Sequence, residues 1–118
     1  MNAEKFIEVI RLVVVDNTTK GVKSVLQKPP GRSPLRKLID MSNWYNQLEE
    51  NYKLVVEQII KQSVESAIFH FLCVLDGVAA IENENKGELK LFYENKDIQE
   101  LLNDPNKEFL HDLFNVES

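Results

Sequence analysis

The feature that most constrains this chain is an apolar register running with little interruption over residues 49–81. Tyr52, Val55, Val56, Ile59 and Ile60 lead into Val64, Ala67, Ile68, Phe71, Leu72, Leu75, Val78 and Ala79. These recur at the spacing of a helix face. Unbroken, such a helix would reach about 50 Å at 1.5 Å per residue, which is long for a chain of 118 residues. The reading therefore predicts a bend near residues 62–66, with Ser63 capping a second helix. Residues 67–81 are apolar nearly all round, which calls for a central place with neighbours on several sides.

The flanking segments fill in around that helix. Residues 3–15 predict a helix that buries Phe6, Val9, Ile10, Val13 and Val14, although the β-branched run Val13-Val14-Val15 opposes it. Asp16-Asn17-Thr18-Thr19 is turn and N-cap chemistry, followed by a short helix with Val22, Val25 and Leu26 inward. Lys28-Pro29-Pro30-Gly31-Arg32-Ser33-Pro34 must be a loop. Ser33 as N-cap and Pro34 at the first position then open a helix carrying Leu35, Leu38, Ile39, Ser42, Tyr45 and Leu48, its stripe widened by Met41 and Trp44. After Asn83-Glu84-Asn85-Lys86-Gly87 the period becomes two, with Leu89, Leu91 and Tyr93 alternating against Lys90, Phe92 and Glu94. Asn95-Lys96-Asp97 turns the chain, and residues 98–102 return as a second strand. Asp104 and Pro105 open a last helix with Phe109, Leu110, Leu113 and Phe114 on its apolar face.

The expected fold is mainly α. It is one domain, 1–118, a small helical bundle around a central apolar helix (about 64–81), with one β-hairpin (about 88–102) and a short C-terminal helix. A chain of 13.7 kDa buries roughly two-thirds of its unfolded surface, enough for a core without metals or disulfides. No apolar run approaches the ~18 residues of a membrane span.

Charge is unevenly spread. Residues 1–39 hold eight basic and three acidic side chains, and residues 40–118 hold six basic and sixteen acidic, for a net charge of −5. No acid stands between Asp16 and Asp40, where Lys20, Lys23, Lys28, Arg32, Arg36 and Lys37 collect. This segment either neutralises the acidic remainder of the fold or contacts an anion, with Arg32 and Arg36 as the anion contacts. A pI near 5.0 is the reverse of a nucleic-acid-binding footprint. The single cysteine, Cys73, and the absence of a signal-peptide pattern at the N-terminus read as a reduced, cytoplasmic protein.

Few residues suggest chemistry. His70 and Cys73 stand three apart on the apolar helix and so on neighbouring positions, the raw material of a nucleophile or of half a zinc site. With one cysteine and two histidines, core packing explains them more simply, and no metal or cofactor is expected. Asp76-Gly77 is the stranger feature. A glycine inside a helix costs about 1 kcal/mol, and a carboxylate there needs a partner. Gly77 would admit a neighbouring backbone while Asp76 caps that neighbour or pairs with Arg32 or Arg36; alternatively Asp76 is a functional acid in a cleft. His111 and Asp112 are consecutive, their side chains diverging on a helix, and are not expected to form a dyad.

Trp44-Tyr45-Asn46, the run Phe71-Leu72-Cys73-Val74-Leu75-Asp76-Gly77-Val78, Leu102-Asn103-Asp104 and Leu110-His111-Asp112-Leu113-Phe114 together resemble a group of small, uncharacterised bacterial proteins, some of them immunity proteins of polymorphic toxin systems. The resemblance covers roughly residues 35–115. It implies a cytoplasmic, non-enzymatic role and assigns no reactive residue. The leading expectation is a protein-interaction module, an inhibitor or immunity protein that meets a basic protein partner through Glu49, Glu50, Glu82, Glu84, Glu88 and Glu94. The alternative is a small enzyme or ligand-binding domain with a pocket near His70, Cys73 and Asp76. Exposure of Trp44 or Phe92 would favour a homodimer. Neither nucleic acid nor membrane is expected as a partner.

Overall fold

The structure, a computed structural model, describes residues 1–84 and 86–116, the side chain of Val116 excepted. Asn85, inside the 83–87 stretch where the period changes, lies outside the described residues. The architecture is mainly α. The order is α1 (Ala3–Val9), a π-helical segment (Ile10–Asp16), α2 (Asn17–Gln27), α3 (Arg36–Asn46), α4 (Glu50–Leu75), the antiparallel strands β1 (Phe92–Asn95) and β2 (Ile98–Leu101), and α5 (Leu110–Val116). The chain divides into two compact units, one made of Met1–Leu12 with Ser66–Ser118 and the other of Val13–Glu65.

Helix α1 starts where Asn2 accepts a hydrogen bond from the Lys5 amide at 2.9 Å. No turn follows at 16–19, contrary to expectation. The helical path continues through the π segment into α2, and the Thr19 hydroxyl donates to the Val15 carbonyl at 2.7 Å. A π turn closes i→i+5 bonds, so a stripe counted at 3.6 residues per turn slips. Ile7 and Val15 are buried while Val13, expected inside, is 53% exposed.

In the Val13–Glu65 unit, the 28–34 loop is confirmed, and α2 and α3 pack together on either side of it. Asn46 near the end of α3 donates to the Gln27 carbonyl at the end of α2 (3.1 Å) and to the Ser42 hydroxyl (3.2 Å). Helix α3 begins later than the Ser33–Pro34 signal predicts. Leu35, extended at φ −59° and ψ 139°, holds the N-cap position with no side-chain cap, its carbonyl accepting from Leu38 and Ile39. The buried face is Ser42 and Tyr45, whereas Met41 and Trp44 point outward. Glu57 of α4 ties the three helices. Its carboxylate lies 2.8 Å from Lys23 of α2 and accepts from the Tyr45 hydroxyl of α3 at 3.4 Å.

Helix α4 is continuous through residues 62–66, so no second helix starts there. Ser63 is not a cap; its hydroxyl donates to the Ile59 carbonyl one turn back, at 2.7 Å. The helix is about 39 Å long and ends at Leu75 rather than near Ile81. Gly77 is therefore not mid-helix. It has φ +78°, the left-handed conformation that favours glycine, and forms a Schellman cap: its amide donates to Val74 (3.1 Å) and the Val78 amide to Cys73 (3.0 Å). No neighbour lies within 4 Å of a Cβ built at Gly77, so backbone conformation, and not a close approach, explains the residue. Nor is the end of the apolar run covered all round, since Phe71, Val78 and Ile81 are more than half exposed.

In the other unit the core is Ile7, Leu72, Cys73, Leu102, Leu110 and Phe114. Helix α1 packs on α5, and the Arg11 guanidinium donates to the Phe114 carbonyl while lying 4.1 Å above its ring. The hairpin pairs Phe92 with Leu101 and Asn95 with Ile98, leaving Lys96-Asp97 as a two-residue loop with Lys96 at φ 55°. Its strands are shorter than predicted because a side chain takes over the ladder. Asn103 accepts from the Leu91 amide (2.8 Å) and donates to the Leu89 carbonyl (2.8 Å).

Candidate functional site

The same Asn103 amide donates to the carbonyl of Leu75, the last residue of α4, at 2.6 Å. That closes the accounting at the helix end. The Leu72, Cys73 and Val74 carbonyls accept from the amides of Asp76, of Val78 and Ala79, and of Gly77. With the chain turned in this way, the Asp76 side chain is carried inward, where it is fully buried (0% exposed).

Asp76 Oδ2 accepts from the backbone amide of His111 at 2.9 Å and faces its ring Nδ1 at 2.7 Å. Asp76 thus does the work of an N-cap side chain for α5 from 35 residues away. The expectation that Asp76 caps a neighbouring backbone holds, and the expected arginine does not. Arg36 instead pairs with Asp40 at 3.2 Å, and Arg32 is exposed in the loop. The cap expected from Asp104 is also displaced. Asp104 accepts from the Asn106 amide (2.9 Å) in a local turn, five residues before α5 begins after Phe109.

His111 is the centre of the cluster. Its Nε2 lies 3.3 Å from Asp112 Oδ1, so the consecutive residues do meet, correcting the expectation that they diverge. The ring stacks on Phe109 (centroids 5.5 Å apart) and takes the edge of Phe69 at 5.8 Å. One ring nitrogen faces a wholly buried carboxylate and the other a carboxylate that is 55% exposed. Asp76 Oδ1 is buried with no hydrogen-bond partner. Chemically, the arrangement orients an imidazole firmly; among the described residues no three His, Cys, Asp or Glu side chains are grouped to hold a metal ion.

The residues singled out as a possible pocket do not converge. His70 is exposed, its Nδ1 2.8 Å from the Ser66 carbonyl of its own helix. Cys73 is buried, and burial pushes its thiol pKa up, with the Asp76 and Asp112 carboxylates adding to the rise. A raised thiol pKa means the folded chain keeps a proton that the unfolded chain releases, so stability falls as pH climbs through the ordinary thiol range. The Tyr45 hydroxyl, raised mainly by burial, and Lys23, raised by its hydrogen bond to Glu57, have the same sign at still higher pH. Urea melts between pH 7 and 10 should show a falling midpoint. Cys73 should resist thiol reagents in the native state and react once unfolded; rapid native labelling would contradict the placement.

Of the six carboxylates expected at a partner surface, Glu49 and Glu50 belong to the Val13–Glu65 unit, Glu50 lying 3.5 Å from Lys53. Glu82, Glu84, Glu88 and Glu94 belong to the other unit and are all exposed. Glu82 accepts weakly from the Gly87 amide at 3.4 Å, and none of the four has a Lys or Arg partner among the described residues. Sequence reasoning passed over Asn103 and the Asp76–His111 contact. An asparagine just after a predicted strand was the one available signal, and it reads equally as a turn.

Comparison with protein-family models, with curated proteins and with solved structures finds no match to the chain.

Proposed function

We propose that the chain is a protein-interaction module that binds a basic protein partner through the acidic unit, in the manner of an inhibitor or immunity protein. The observation that supports it is the segregation of charge between the two units. Met1–Leu12 with Ser66–Ser118 holds thirteen acidic and six basic side chains, a net −7, whereas Val13–Glu65 holds six acidic and eight basic, a net +2. Unpaired carboxylates on a surface raise the rate at which a basic partner arrives and set its orientation more than they set raw affinity. Glu82, Glu84, Glu88 and Glu94, none with a Lys or Arg partner among the described residues, are such groups. The enzyme alternative needs His70, Cys73 and Asp76 in one solvent-reachable pocket, and the exposed His70 beside two buried side chains does not favour it. A cytoplasmic location accords with the unpaired thiol; no helix among the described residues is long and apolar enough to cross a membrane.

The test is affinity capture of the tagged chain from lysate of its native host at about 50 mM and about 500 mM salt, where exposed charges are progressively screened. A stoichiometric basic protein held at low salt and released at high salt is the expected result. Recovery of the chain alone under both conditions overturns the reading.

A further inference from the structure

Between Asp16 and Asp40 the chain carries six bases and no acid, and the fold leaves most of those bases uncommitted. Lys23 is held by Glu57 and Arg36 by Asp40. Lys20, Lys28, Arg32 and Lys37 are exposed and have no acidic partner among the described residues. The segment opens α3, whose Ser42 and Tyr45 turn into the core. The outward stripe of that helix is Lys37, Met41 and Trp44, spaced at 4 and 3 residues and so aligned on one side. Met41 and Trp44 are 45% and 56% exposed, and Leu35, next to the helix start, is 61% exposed. Asp40, the one acid of α3, is neutralised by Arg36 at 3.2 Å.

We propose that this face of the Val13–Glu65 unit rests on an anionic lipid surface, with Trp44 and Met41 entering the headgroup layer and Lys37 beside them on its anionic groups. Lys28 and Arg32, in the loop that leads into α3, add to the attraction. Charge and apolar character on the same side of one helix select this occupant. Tryptophan has an apolar body and a polar N–H, and it settles at the headgroup level of a bilayer. Lys and Arg gathered at an apolar helix face are the form in which a chain is drawn to anionic lipid. Protein interfaces, by contrast, are depleted in lysine. A second copy of the chain would set the same unpaired bases against each other. The expectation of no membrane partner rests on the lack of a spanning segment, and a surface contact needs none. The four glutamates of the proposed partner surface belong to the other unit, so this contact does not depend on them.

Trp44 is the only tryptophan of the chain, so its emission reports the contact directly. The test mixes the full chain with vesicles of phosphatidylcholine, alone or with about 30% phosphatidylserine, at about 100 mM and about 500 mM salt. Co-sedimentation and fluorescence are read together. The expected result is binding about tenfold or more tighter to the anionic vesicles, a blue shift of the Trp44 emission on binding, and release at high salt. Lys37→Glu should weaken binding about fivefold or more; its acid falls in the first turn of α3, where the helix dipole favours it, and circular dichroism checks that the fold is kept. Should that variant unfold, Lys37→Gln carries the same test with a smaller loss. Equal partition into the two vesicle types overturns the proposal, as does anionic binding that leaves the Trp44 emission or the Lys37 variants unchanged, which would place the contact away from α3. No binding to either vesicle also overturns it and leaves an acidic protein as the occupant.

Discussion

Replacing Asn103 with alanine lowers the unfolding free energy by about 3 kcal/mol. Asn103 is 7% exposed and its amide makes three hydrogen bonds, to the Leu75 and Leu89 carbonyls and from the Leu91 amide. Each such bond contributes about 1 kcal/mol net, and truncation strands all three backbone groups with no partner at the same place. One of them is the last carbonyl of α4, and the other two are the points where the chain enters the hairpin. The loss therefore unlocks both elements together, with an expected fall in melting temperature of about 15 °C. Asn103→Asp should be equally damaging, because a carboxylate presents oxygen to two carbonyls that require a donor. Urea and thermal melts measure both. A change below about 1 kcal/mol for either variant would mean that the amide is not the joint described.

Asp76→Ala should cost a similar amount, about 3 kcal/mol, by a different route. It removes an α5 cap and the hydrogen bond to the His111 ring in one step, leaving the His111 amide and ring Nδ1 without their partner beside apolar Phe69 and Phe109. Asp76→Asn keeps a carbonyl oxygen able to accept from the His111 amide, and so should lose about half as much. His111→Ala should also lose less than Asp76→Ala, since the backbone cap survives it. That order separates a cap from a mere ion pair: if Asp76→Asn were as harmful as Asp76→Ala, charge and not capping would be the basis of the contact.

These two residues also show where sequence reading stops. The 28–34 loop and the hairpin turn are written in Pro, Gly and Asn punctuation and form where the pattern places them, whereas the long helix runs unbroken through the expected bend and stops at Leu75, and the final helix starts at Leu110 and not at Asp104–Pro105. The ends of elements are less legible because distant groups complete them. α5 takes its cap from Asp76 and not from Asp104, and the hairpin gives up its outer rungs to Asn103. Ser63 and Thr19 look like caps by residue type but turn their hydroxyls back onto carbonyls four residues earlier, which leaves the helix intact. Val13 was misplaced because the π turn around it changes the period on which the stripe was counted. For the candidate site, the oddity of Asp76-Gly77 was visible in the sequence, but its partner His111 was not. Contacts across 35 residues leave no trace in local pattern.

The central claim, that the acidic unit holds a basic protein partner, is tested most directly by titrating the captured partner against the parent chain and against a variant with Glu82, Glu84, Glu88 and Glu94 changed to glutamine. Calorimetry across a series of salt concentrations supplies the readout. The account predicts an affinity that falls steeply with salt for the parent, and a variant at least tenfold weaker with a flatter salt dependence but the same melting temperature. Equal affinity and equal salt dependence for the two chains would contradict it.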